Sequence, residues 1–547
     1  MPSYAYPAYA PAPRGVSGAR HRVVVAGGGM VGLTAALDLA GRGVAVVVLD
    51  EDTTVSTGSR AICMAKRSLE IYHRLGVGRR MLDKGVTWNT GEVLFRDRAV
   101  YSFDLLPEAG HQYPAFINLQ QYYVEEYLVE ACQAAGVDLR WAHRVAAIAP
   151  GAEGVTLTVE TPDGPYALTA DWLLAADGAR STIRTALDLP FTGQVFNDRF
   201  LITDVVMQAE FPPIRRFWFD PPFHDGGSVL LHRQPDHVWR IDFQLGRDAD
   251  PEAEKDPERV RARVAAMLGP GVAFEIEWIS VYTFRCRRID RFRHGRIFFL
   301  GDAAHQVSPF GARGGNAGVQ DADNLGWKLA AVLAGAAGEA LLDSYDAERI
   351  PANDENILNS TRSTDFITPK NAAALAYRDA VLELAARHDF ARPLVNSGRL
   401  SRPAVLAGSP LNTPDDAPWS GGLPPGAPAV DAPARRDGRE VWLLEHLALA
   451  PPSPAGGSGG GAGGDFILLR FAPPERLAVD GITTVFVTSA PEPGALHDHA
   501  GLIARRYAAA PGDAILFRPD QHVAARWHRF DPAAVAAARD RALGRAP

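Results

Sequence analysis

The chain has 547 residues, of which 47% are hydrophobic and 22% charged, so it is long enough for two or three domains and has the composition of a globular protein. A net charge of -8 excludes the basic surface that nucleic-acid binding requires, and no apolar run approaches the roughly 20 residues of a membrane span. The three cysteines, Cys63, Cys132 and Cys286, have no metal-ligand or CxxC spacing, so we expect no metal site and a reducing, cytoplasmic setting.

A β-α-β unit is predicted near the start of the chain. Residues 1–20 are rich in Tyr, Pro and Ala and lack the charged and apolar segments of a signal peptide, so we interpret them as an N-terminal extension. The runs from His21 to Ala26 and from Val44 to Asp50 are typical of buried parallel strands, and the residues from Val31 to Leu39 favour a helix between them.

A glycine motif, Gly27-x-Gly29-x-x-Gly32, lies between the first strand and this helix. Gly27 permits a tight turn, Gly29 lets the backbone approach a pyrophosphate, and Gly32 lets the helix pack closely on the strand. The helix N-terminus offers free N–H groups to phosphates, and Asp50 ends the second strand where a carboxylate can bind ribose hydroxyls. The motif predicts a dinucleotide site but does not distinguish FAD from NAD.

The rest of the chain is predicted to alternate helices, strands and irregular segments. Further elements are expected as helices at Lys66–Leu75, Tyr122–Ala135 and Ala317–Leu333, and as strands at Val155–Glu160, Tyr166–Ala175, Phe217–Phe219, Val238–Phe243, Ile297–Leu300, Phe466–Phe471, Thr483–Thr488 and Ala514–Phe517. Apolar and polar residues alternate between 191 and 284, which favours an antiparallel sheet with one wet or ligand-facing side. The composition of Ser401–Gly438 predicts an irregular linker, and that of Pro451–Gly464 a mobile loop.

Two further motifs carry a family resemblance. The segment Leu173-Leu174-Ala175-Ala176-Asp177-Gly178-Ala179-Arg180 and the segment Gly301-Asp302-Ala303-Ala304-His305 follow predicted strands. Together with the glycine motif they resemble, in type and order, the DG and GD motifs of the FAD-dependent aromatic hydroxylases, the class that includes the phenol, 3-(3-hydroxyphenyl)propionate and para-hydroxybenzoate hydroxylases. The resemblance implies non-covalent FAD, with Asp302 on a ribitol hydroxyl and Asp177-Gly178 serving flavin and nicotinamide.

The resemblance extends to the loop from Val307 to Asn316 and covers roughly residues 20–375. In the family this loop and the following helix face the N1–C2=O edge of the flavin, where a helix N-terminus stabilises the reduced anion. Ser308 departs from the proline that most relatives have there. Arg60 matches an arginine that meets the pyrophosphate, and Gln121 matches a glutamine on the middle of the flavin, with Gln120 as the alternative register. The implied FAD residues are Gly27, Gly29, Met30, Val31, Gly32, Asp50, Glu51, Arg60, Gln121, Asp177, Gly178, Gly301, Asp302, Pro309, Gly314, Gly315 and Asn316.

The resemblance implies an aromatic monooxygenase. In the family, NADH or NADPH reduces FAD, O2 adds at C4a, and the hydroperoxide transfers one oxygen to an electron-rich ring. One dinucleotide fingerprint and no CxxxxC dithiol fit a nicotinamide held without its own domain. The alternatives are a halogenase or oxidase of the same flavin fold, although the WxWxIP segment of the halogenases is absent, or a non-catalytic flavin-dependent ligand-binding protein.

The residue that assists the phenol is left open. His232, Tyr282 and Arg285 are candidates because they lie on predicted strands of the middle segment or just before the Gly301-Asp302 strand, and Pro309 is expected beside the flavin. His224 and Asp225 are equally compatible with an exposed turn. Arg215, Arg216 and Arg240 could anchor a carboxylate, but solvated surface positions are the simpler expectation for them.

The predicted fold is α/β, with a Rossmann-like FAD-binding domain, an inserted, mainly antiparallel β-sheet substrate domain and a C-terminal thioredoxin-like domain. The C-terminal resemblance is to the appendage of phenol and hydroxyphenylpropionate hydroxylases, and it covers Tyr507–Val523 most closely. The expected segments are residues 21–190 for FAD binding, with substrate-domain residues at about 76–118, 191–284 for the substrate sheet, 285–375 for FAD binding, 376–438 for a helix and linker, and 439–547 for the cysteine-free thioredoxin-like unit. The expected partners are a small aromatic substrate and a second copy in a homodimer, with no nucleic acid and no membrane.

Overall fold

The computed structural model describes residues 4–209, 211–246, 248–395, 400–447, 466–475 and 479–545. Its strands in the first half are β1 (Ala19–Ala26), β2 (Val46–Leu49), β3 (Cys63–Ala65), β4 (Val86–Trp88), β5 (Thr90–Phe95), β6 (Arg98–Asp104), β7 (Phe116–Asn118), β8 (Asp138–Arg140), β9 (Arg144–Pro150), β10 (Val155–Glu160), β11 (Tyr166–Ala175), β12 (Thr192–Met207), β13 (Arg215–Phe219), β14 (Ser228–Arg233) and β15 (Val238–Leu245). Those in the second half are β16 (Phe274–Arg288), β17 (Arg293–His294), β18 (Ile297–Phe299), β19 (His305–Gln306), β20 (Pro433–Arg436), β21 (Arg439–Trp442), β22 (Phe466–Arg470), β23 (Ile482–Thr488), β24 (Leu496–His497), β25 (Ala514–Phe517) and β26 (Val523–Trp527).

Helices connect and cover these strands. They are α1 (Met30–Gly41), α2 (Lys66–Arg74), α3 (Gly78–Lys84), α4 (Gln121–Ala134), α5 (Thr182–Ala186), α6 (Pro251–Glu254), α7 (Pro257–Leu268), α8 (Gly314–Leu333), α9 (Ser344–Ile367), α10 (Ala372–Ala385), α11 (Arg392–Val395), α12 (Leu443–His446), α13 (Leu502–Tyr507) and α14 (Pro532–Ala542). Short 3-10 turns lie at Gly301–Ala303, Glu339–Asp343 and Asp389–Ala391.

The first sheet contains five parallel strands in the order β18-β11-β1-β2-β8, with β17 at one edge and β9 and β10 attached through β11. The apolar side chains of β1 and β2 are buried, as expected for parallel strands with both faces covered. Because the carboxyl ends of β1, β11 and β18 meet at one edge, a crevice forms where the glycine, DG and GD motifs all lie.

The second sheet has the order β19-β16-β12-β15-β14-β13-β5-β6 and is antiparallel except for the β13–β5 pair. Paired residues on neighbouring strands point to the same side of a sheet, so the register assigns each side chain to a face. One face carries Leu201, Leu231 and Ile241, which pack on Val260 and Val264 of α7. The other, which we call the crevice face, carries Phe200, Asp204, Arg215, Phe217, Phe219, Leu230, His232, Arg240, Asp242, Tyr282 and Phe284.

The third sheet has the order β21-β20-β24-β23-β22-β25-β26. Side chains of β22 alternate between two cores: Phe466 and Leu468 pack with Trp327 of α8, and Ile467 and Leu469 pack with Tyr507 of α13. The C-terminal sheet therefore uses α8 as part of its own core. A small fourth sheet, β3-β7-β4, lies between α2 and the second sheet.

A buried charge network also joins the C-terminal sheet to α8 and α9. The Glu348 carboxylate accepts hydrogen bonds from Arg518 Nη2 at 3.1 Å and from Lys328 Nζ at 2.6 Å, and Arg518 Nε donates to Asp520 at 3.0 Å. The side chains of Arg518, Lys328, Glu348 and Asp520 are fully buried. Burial alone would raise the pKa of Glu348, but the charges of Arg518 and Lys328 hold it well below its ordinary range.

Arg67 of α2 continues this network. It donates to Asp323 of α8 at 3.2 Å, to the carbonyl of Asp520 at 2.7 Å and to Gln521 at 3.1 Å. Arg74, one helical turn or two further along α2, donates to Asp38 of α1 at 2.7 Å. The C-terminal sheet is therefore tied through α2 and α8 to the helix that follows the glycine motif.

The N-terminal extension packs on the FAD-binding half of the chain through its tyrosines. Tyr4 stacks on Tyr122 with ring centroids 4.1 Å apart, and Tyr9 stacks on Trp141 at 4.5 Å. The hydroxyl of Tyr6 accepts a hydrogen bond from the Gly58 N–H at 3.0 Å. The described part of the extension is thus fixed against α4 and against the loop that precedes β3.

The helices and strands bounded from the sequence are all present in the described residues, with ends shifted by a few positions. Helix α8 begins at Gly314, earlier than predicted, because two glycines of low helix propensity form its first turn. The expected irregular segment Ser401–Gly438 was wrong at its end, where β20 pairs with β21 and β24. The predicted mobile loop Pro451–Gly464 lies outside the described residues. No helix in the described ranges is both long and apolar enough to cross a bilayer.

We expect Arg518→Met to lower the free energy of unfolding by about 3–5 kcal/mol, because it leaves Glu348 and Asp520 buried with fewer counter-charges. Thermal and urea unfolding of the purified protein would measure the loss. Arg541→Met, at an exposed position of α14, is the matched control. Equal stability of the two variants would show that the network does not hold the C-terminal sheet in place.

Candidate functional site: the crevice between the first and second sheets

The glycine turn, residues 27–32, requires its glycines for close packing. Gly27 has φ +106°, and a Cβ there would lie 2.4 Å from the Ala176 carbonyl oxygen. A Cβ at Gly32 would lie 2.0 Å from the Gly27 carbonyl oxygen. Helix α1 therefore starts directly against β1 and β11, and its N-terminus has neither a side-chain cap nor an acidic residue in its first turn.

Asp50 lies beside this turn and accepts hydrogen bonds from the N–H groups of Gly28 and, at 2.8 Å, Asp52. Desolvation raises the pKa of Asp50 to about 6. The neighbouring Glu51 is exposed. Only the first of the two acidic residues predicted at this strand end is thus turned toward the glycine turn.

Glu125 of α4 is a residue of the crevice that the sequence analysis missed. It is buried and accepts hydrogen bonds from Met30 N–H at 3.1 Å, Ser56 N–H at 2.7 Å and Gln121 Nε2 at 2.8 Å. Burial raises its pKa, and these donors partly oppose the rise. Its spacing from Gln121, one turn along a predicted helix, was the available signal.

The loop of residues 56–61 carries Arg60 and is held from three sides. Gln121 Oε1 accepts from the Ala61 N–H at 3.1 Å, and Tyr6 accepts from Gly58. From the second sheet, Arg240 donates to the carbonyls of Ser59 and Arg60. The Arg60 side chain itself is exposed to the crevice side of the loop and contacts the Tyr282 hydroxyl.

The DG and GD segments form the next wall of the crevice. Gly178 and Gly301 both have positive φ, +74° and +57°, which favours glycine. Asp177 Oδ2 accepts from the Ile183 N–H at 3.1 Å, and its buried Oδ1 has no partner among the described residues. Asp302 is exposed and lies close to Arg60 and Arg184, whose charges act on it.

His305 of the GD segment is a scaffold residue. Its Nε2 lies 2.7 Å from the buried Asp321 carboxylate of α8, which also accepts from the Gly301 N–H at 3.1 Å and from Arg349 Nε at 2.8 Å. Burial would raise the pKa of Asp321, but His305 and Arg349 hold it below its ordinary value. These bonds fix the end of β18 against α8.

Helix α8 begins beside the crevice without a side-chain cap or an acid in its first turn. A Cβ at Gly315 would lie 2.6 Å from Met30 Cε, so the starts of α1 and α8 nearly touch. The side chain of Asn316 bonds to Ala65 N–H at 2.9 Å and Ser68 Oγ at 2.7 Å, which leaves its main chain for a ligand. Pro309, in the loop before α8, is exposed.

The crevice face of the second sheet opposes these elements. Phe310 of the α8 loop packs on Phe200 and Phe284, both at 5.2 Å between ring centroids, and on Phe217 at 6.4 Å. His232 and Tyr282, two of the predicted catalytic residues, lie on this face. Arg285 alternates to the opposite side of β16 and is exposed, so the structure does not bring it together with His232.

The structure also corrects the expectation for the three arginines of the second sheet. Arg215 and Arg240 are buried, at 8% and 3% exposed, and only Arg216 lies on the other face, where it pairs with Glu92 at 3.1 Å. Arg240 forms a buried pair with Asp204. Among the described residues, no cluster of three or more His, Cys, Asp or Glu side chains is arranged to hold a metal ion.

The family model named "FAD binding domain" matches residues 20–360. The chain belongs to this FAD-binding family. It is similar to a 6-methylpretetramide 4-monooxygenase of Streptomyces rimosus, at 38% identity over 64% of this chain and 63% of that protein. It is also similar to a 3-(3-hydroxy-phenyl)propionate/3-hydroxycinnamic acid hydroxylase of Mycolicibacterium smegmatis, at 31% identity over 66% of this chain and 64% of that protein. The match thus spans less than two thirds of these relatives.

The fold is shared more completely with a solved structure. The flavin-dependent monooxygenase PieE, solved in complex with FAD and substrate, has a TM-score of 0.79, with 97% of this chain and 100% of that chain covered at 23% identity. This likeness establishes the fold, including that of the C-terminal sheet.

The crevice of this FAD-binding chain fits FAD on its own geometry. Glycines stand where a Cβ would collide with backbone, two helices start uncapped toward the same space, and Asp177 presents a buried oxygen with no partner among the described residues. Uncapped helix N-termini bind phosphates and other anionic groups, and unpartnered carboxylate oxygens accept hydroxyl or amide donors.

We expect Asp302→Ala to weaken FAD binding about 10- to 100-fold, because a hydrogen bond between a carboxylate and a hydroxyl is lost. Titration of the apoprotein with FAD, followed by flavin fluorescence, would measure the dissociation constant. Asp163→Ala, in the exposed turn before β11, is the control. Unchanged FAD affinity in Asp302→Ala would refute the assignment of the GD motif.

Tyr6→Phe is expected to weaken FAD binding about 2- to 10-fold, since it removes a single neutral hydrogen bond to the loop that carries Arg60. The same titration, with the rate of FAD release, would measure the effect. Tyr9→Phe is the matched control, because the Tyr9 ring stacks on Trp141 and its hydroxyl bonds to no described residue. An identical result for both variants would contradict a role for the extension in holding this loop.

Proposed function

We propose that this protein is an FAD- and NAD(P)H-dependent monooxygenase that hydroxylates a phenolic or related aromatic compound. The observation that carries the proposal is the arrangement of the crevice: a family-typical FAD site on one side and a buried, aromatic-rich sheet face on the other. The relatives named as monooxygenases and hydroxylases support it.

The proposed FAD contacts follow the walls of the crevice. The glycine turn, with Met30 and Val31, and the N-terminus of α1 would bind the pyrophosphate together with Arg60, and Asp50 would bind the ribose of the adenosine. Gln121 would act mainly by positioning the Arg60 loop, as its bond to Ala61 N–H indicates. Asp177, Gly178, Gly301 and Asp302 would hold the ribitol end, and the main chain from Pro309 to Asn316 would face the flavin ring.

Bound FAD would accept a hydride from NADH or NADPH and activate O2, so that one oxygen atom enters the aromatic ring and the other leaves as water. The protein's share is to hold the ring, exclude water and move the phenol proton. No second nucleotide-binding glycine turn occurs in the sequence, so we propose that the nicotinamide binds transiently at the crevice.

His232 is the better placed of the candidate groups for the phenol proton. It is buried on the crevice face, and burial together with the charges of Arg215 and Arg240 lowers its pKa well below the ordinary value. The ring is therefore neutral and able to accept a proton, and its Nδ1 has no partner among the described residues. Tyr282 stands beside Arg60, and burial raises its pKa. Arg285 would act only from the opposite side of β16.

The division into domains remains part of the proposal. The first sheet would be the FAD-binding domain, the second the substrate domain, and the third a thioredoxin-like unit. Since the chain has no cysteine after Cys286, dithiol exchange by the third unit is impossible, and a structural or dimer-forming role fits it better. A cytoplasmic homodimer is the proposed state, in keeping with three free thiols.

The decisive experiment uses purified protein with FAD and a panel of phenols, from phenol and 3-hydroxyphenylpropionate to polycyclic naphthols. We expect a flavin spectrum, phenol-stimulated oxidation of NADH or NADPH, and a product that carries one oxygen atom from isotopically labelled O2. A halogenated product would favour the halogenase alternative. Bound flavin with no stimulation by any phenol would favour the non-catalytic alternative and sink the proposal.

A further inference from the structure

Three polar side chains lie together at one end of the crevice face without partners. They are Arg215, His232 and Asp242, at 8%, 4% and 9% exposed, and none forms a hydrogen bond or close ion pair with any described residue. Burying such groups unpaired is costly, and native proteins rarely tolerate it without a function. We call these three residues the polar cluster.

The strand register brings the cluster together. Arg216 pairs with Leu231, which places Arg215 next to His232 on the crevice face. His232 pairs with Arg240, and Asp242 lies two residues further along the same strand and face. Arg215, Asp242 and Cys63 of the facing strand β3 are close enough for their charges to interact.

Arg240 provides the contrast that makes Arg215 informative. Both guanidinium groups are buried on the same face, but Arg240 has Asp204 and two backbone carbonyls as partners. Arg215 has none of these, and its nearest acid, Asp242, forms no ion pair within 4 Å. A buried cation without a counter-ion is favourable only if a ligand supplies the negative charge.

The cluster is also correctly placed relative to the proposed flavin ring. Cys63 lies close to Arg215, and its carbonyl accepts from Asn316 Nδ2 at 2.9 Å, in the first turn of α8. Beyond Arg215 on β13, the crevice face continues with Phe217 and Phe219, whose ring centroids are 4.5 Å apart. A ligand that fills this space therefore has aromatic rings along the phenylalanines and a charged end at the cluster.

We propose that Arg215, with His232 and Asp242, binds an anionic oxygen group of the aromatic substrate, either a carboxylate or the enolate of a 1,3-dicarbonyl. The proposal rests on the proposed function and narrows its substrate class. Arg215 supplies a planar pair of N–H donors that match two oxygens. Asp242 adds a hydrogen bond in its protonated form, since burial raises its pKa to about 6 and a bound anion disfavours its charge further.

The test measures binding to the FAD-loaded protein by the change in flavin absorbance, without NAD(P)H. The probes are 1-hydroxy-2-naphthoate with its methyl ester, and 2-acetylindan-1,3-dione with its methyl enol ether. We expect the wild-type protein to bind at least one anion about 10- to 100-fold more tightly than its neutral partner. The two pairs distinguish a carboxylate from an enolate. Equal binding of anion and neutral partner in both pairs, or no binding of either anion, would overturn the proposal without any substitution.

Variants then assign the preference to the cluster. Arg215→Met should remove the preference for the anion, Arg215→Lys should keep part of it, and Asp242→Asn, which retains an N–H donor, should bind better than Asp242→Val. Arg216→Met is the matched control, because Arg216 lies on the same strand but on the other face. Retention of the full preference in Arg215→Met would overturn the assignment.

This readout is separate from turnover. If the binding preference is present but no phenol yields a hydroxylated product, the monooxygenase proposal fails and the polar cluster stands as an anion site. If hydroxylation occurs on neutral phenols with no anion preference, the cluster proposal fails and the enzymatic proposal stands.

Discussion

The buried carboxylate of Asp321 is the contact on which the geometry of the crevice depends. It binds the Gly301 N–H at the end of β18, His305 in the following turn and Arg349 on α9, and it does so from the second turn of α8. A single side chain thereby sets the distance between the GD segment and the helix start that faces the flavin site. Such a carboxylate is stable only because every charge and N–H around it is paired, so the arrangement tolerates little displacement.

The residues of the FAD site could largely be predicted from the sequence because each depends on local geometry. Gly27, Gly32 and Gly301 are needed where backbone approaches backbone or φ is positive, and such positions follow strands that apolar runs reveal. Glu125 and Asp321 could not be predicted in the same way. Their roles arise from helices that meet strands distant in the chain, and nothing in a local pattern reports that meeting.

The second sheet shows a different limit. Alternation along β14, β15 and β16 predicted a sheet with two unlike faces, but the sequence does not show which face meets the FAD-binding half or that a helix covers the other. His232 and Arg285 were therefore equal candidates until the register separated them. Arg215 was expected in solvent because arginine usually is, and only the closed crevice shows that this one is buried.

The network around Arg518 has a consequence for the order of events during synthesis. Arg67 and Gln521 are bonded although 454 positions separate them, and Asp323 of α8 shares the same arginine. Because a chain emerges from the ribosome N-terminus first, α2 and α8 gain their last counter-charges only when the final strands of the protein exist. The crevice encoded near the beginning of the gene is completed by residues encoded near its end.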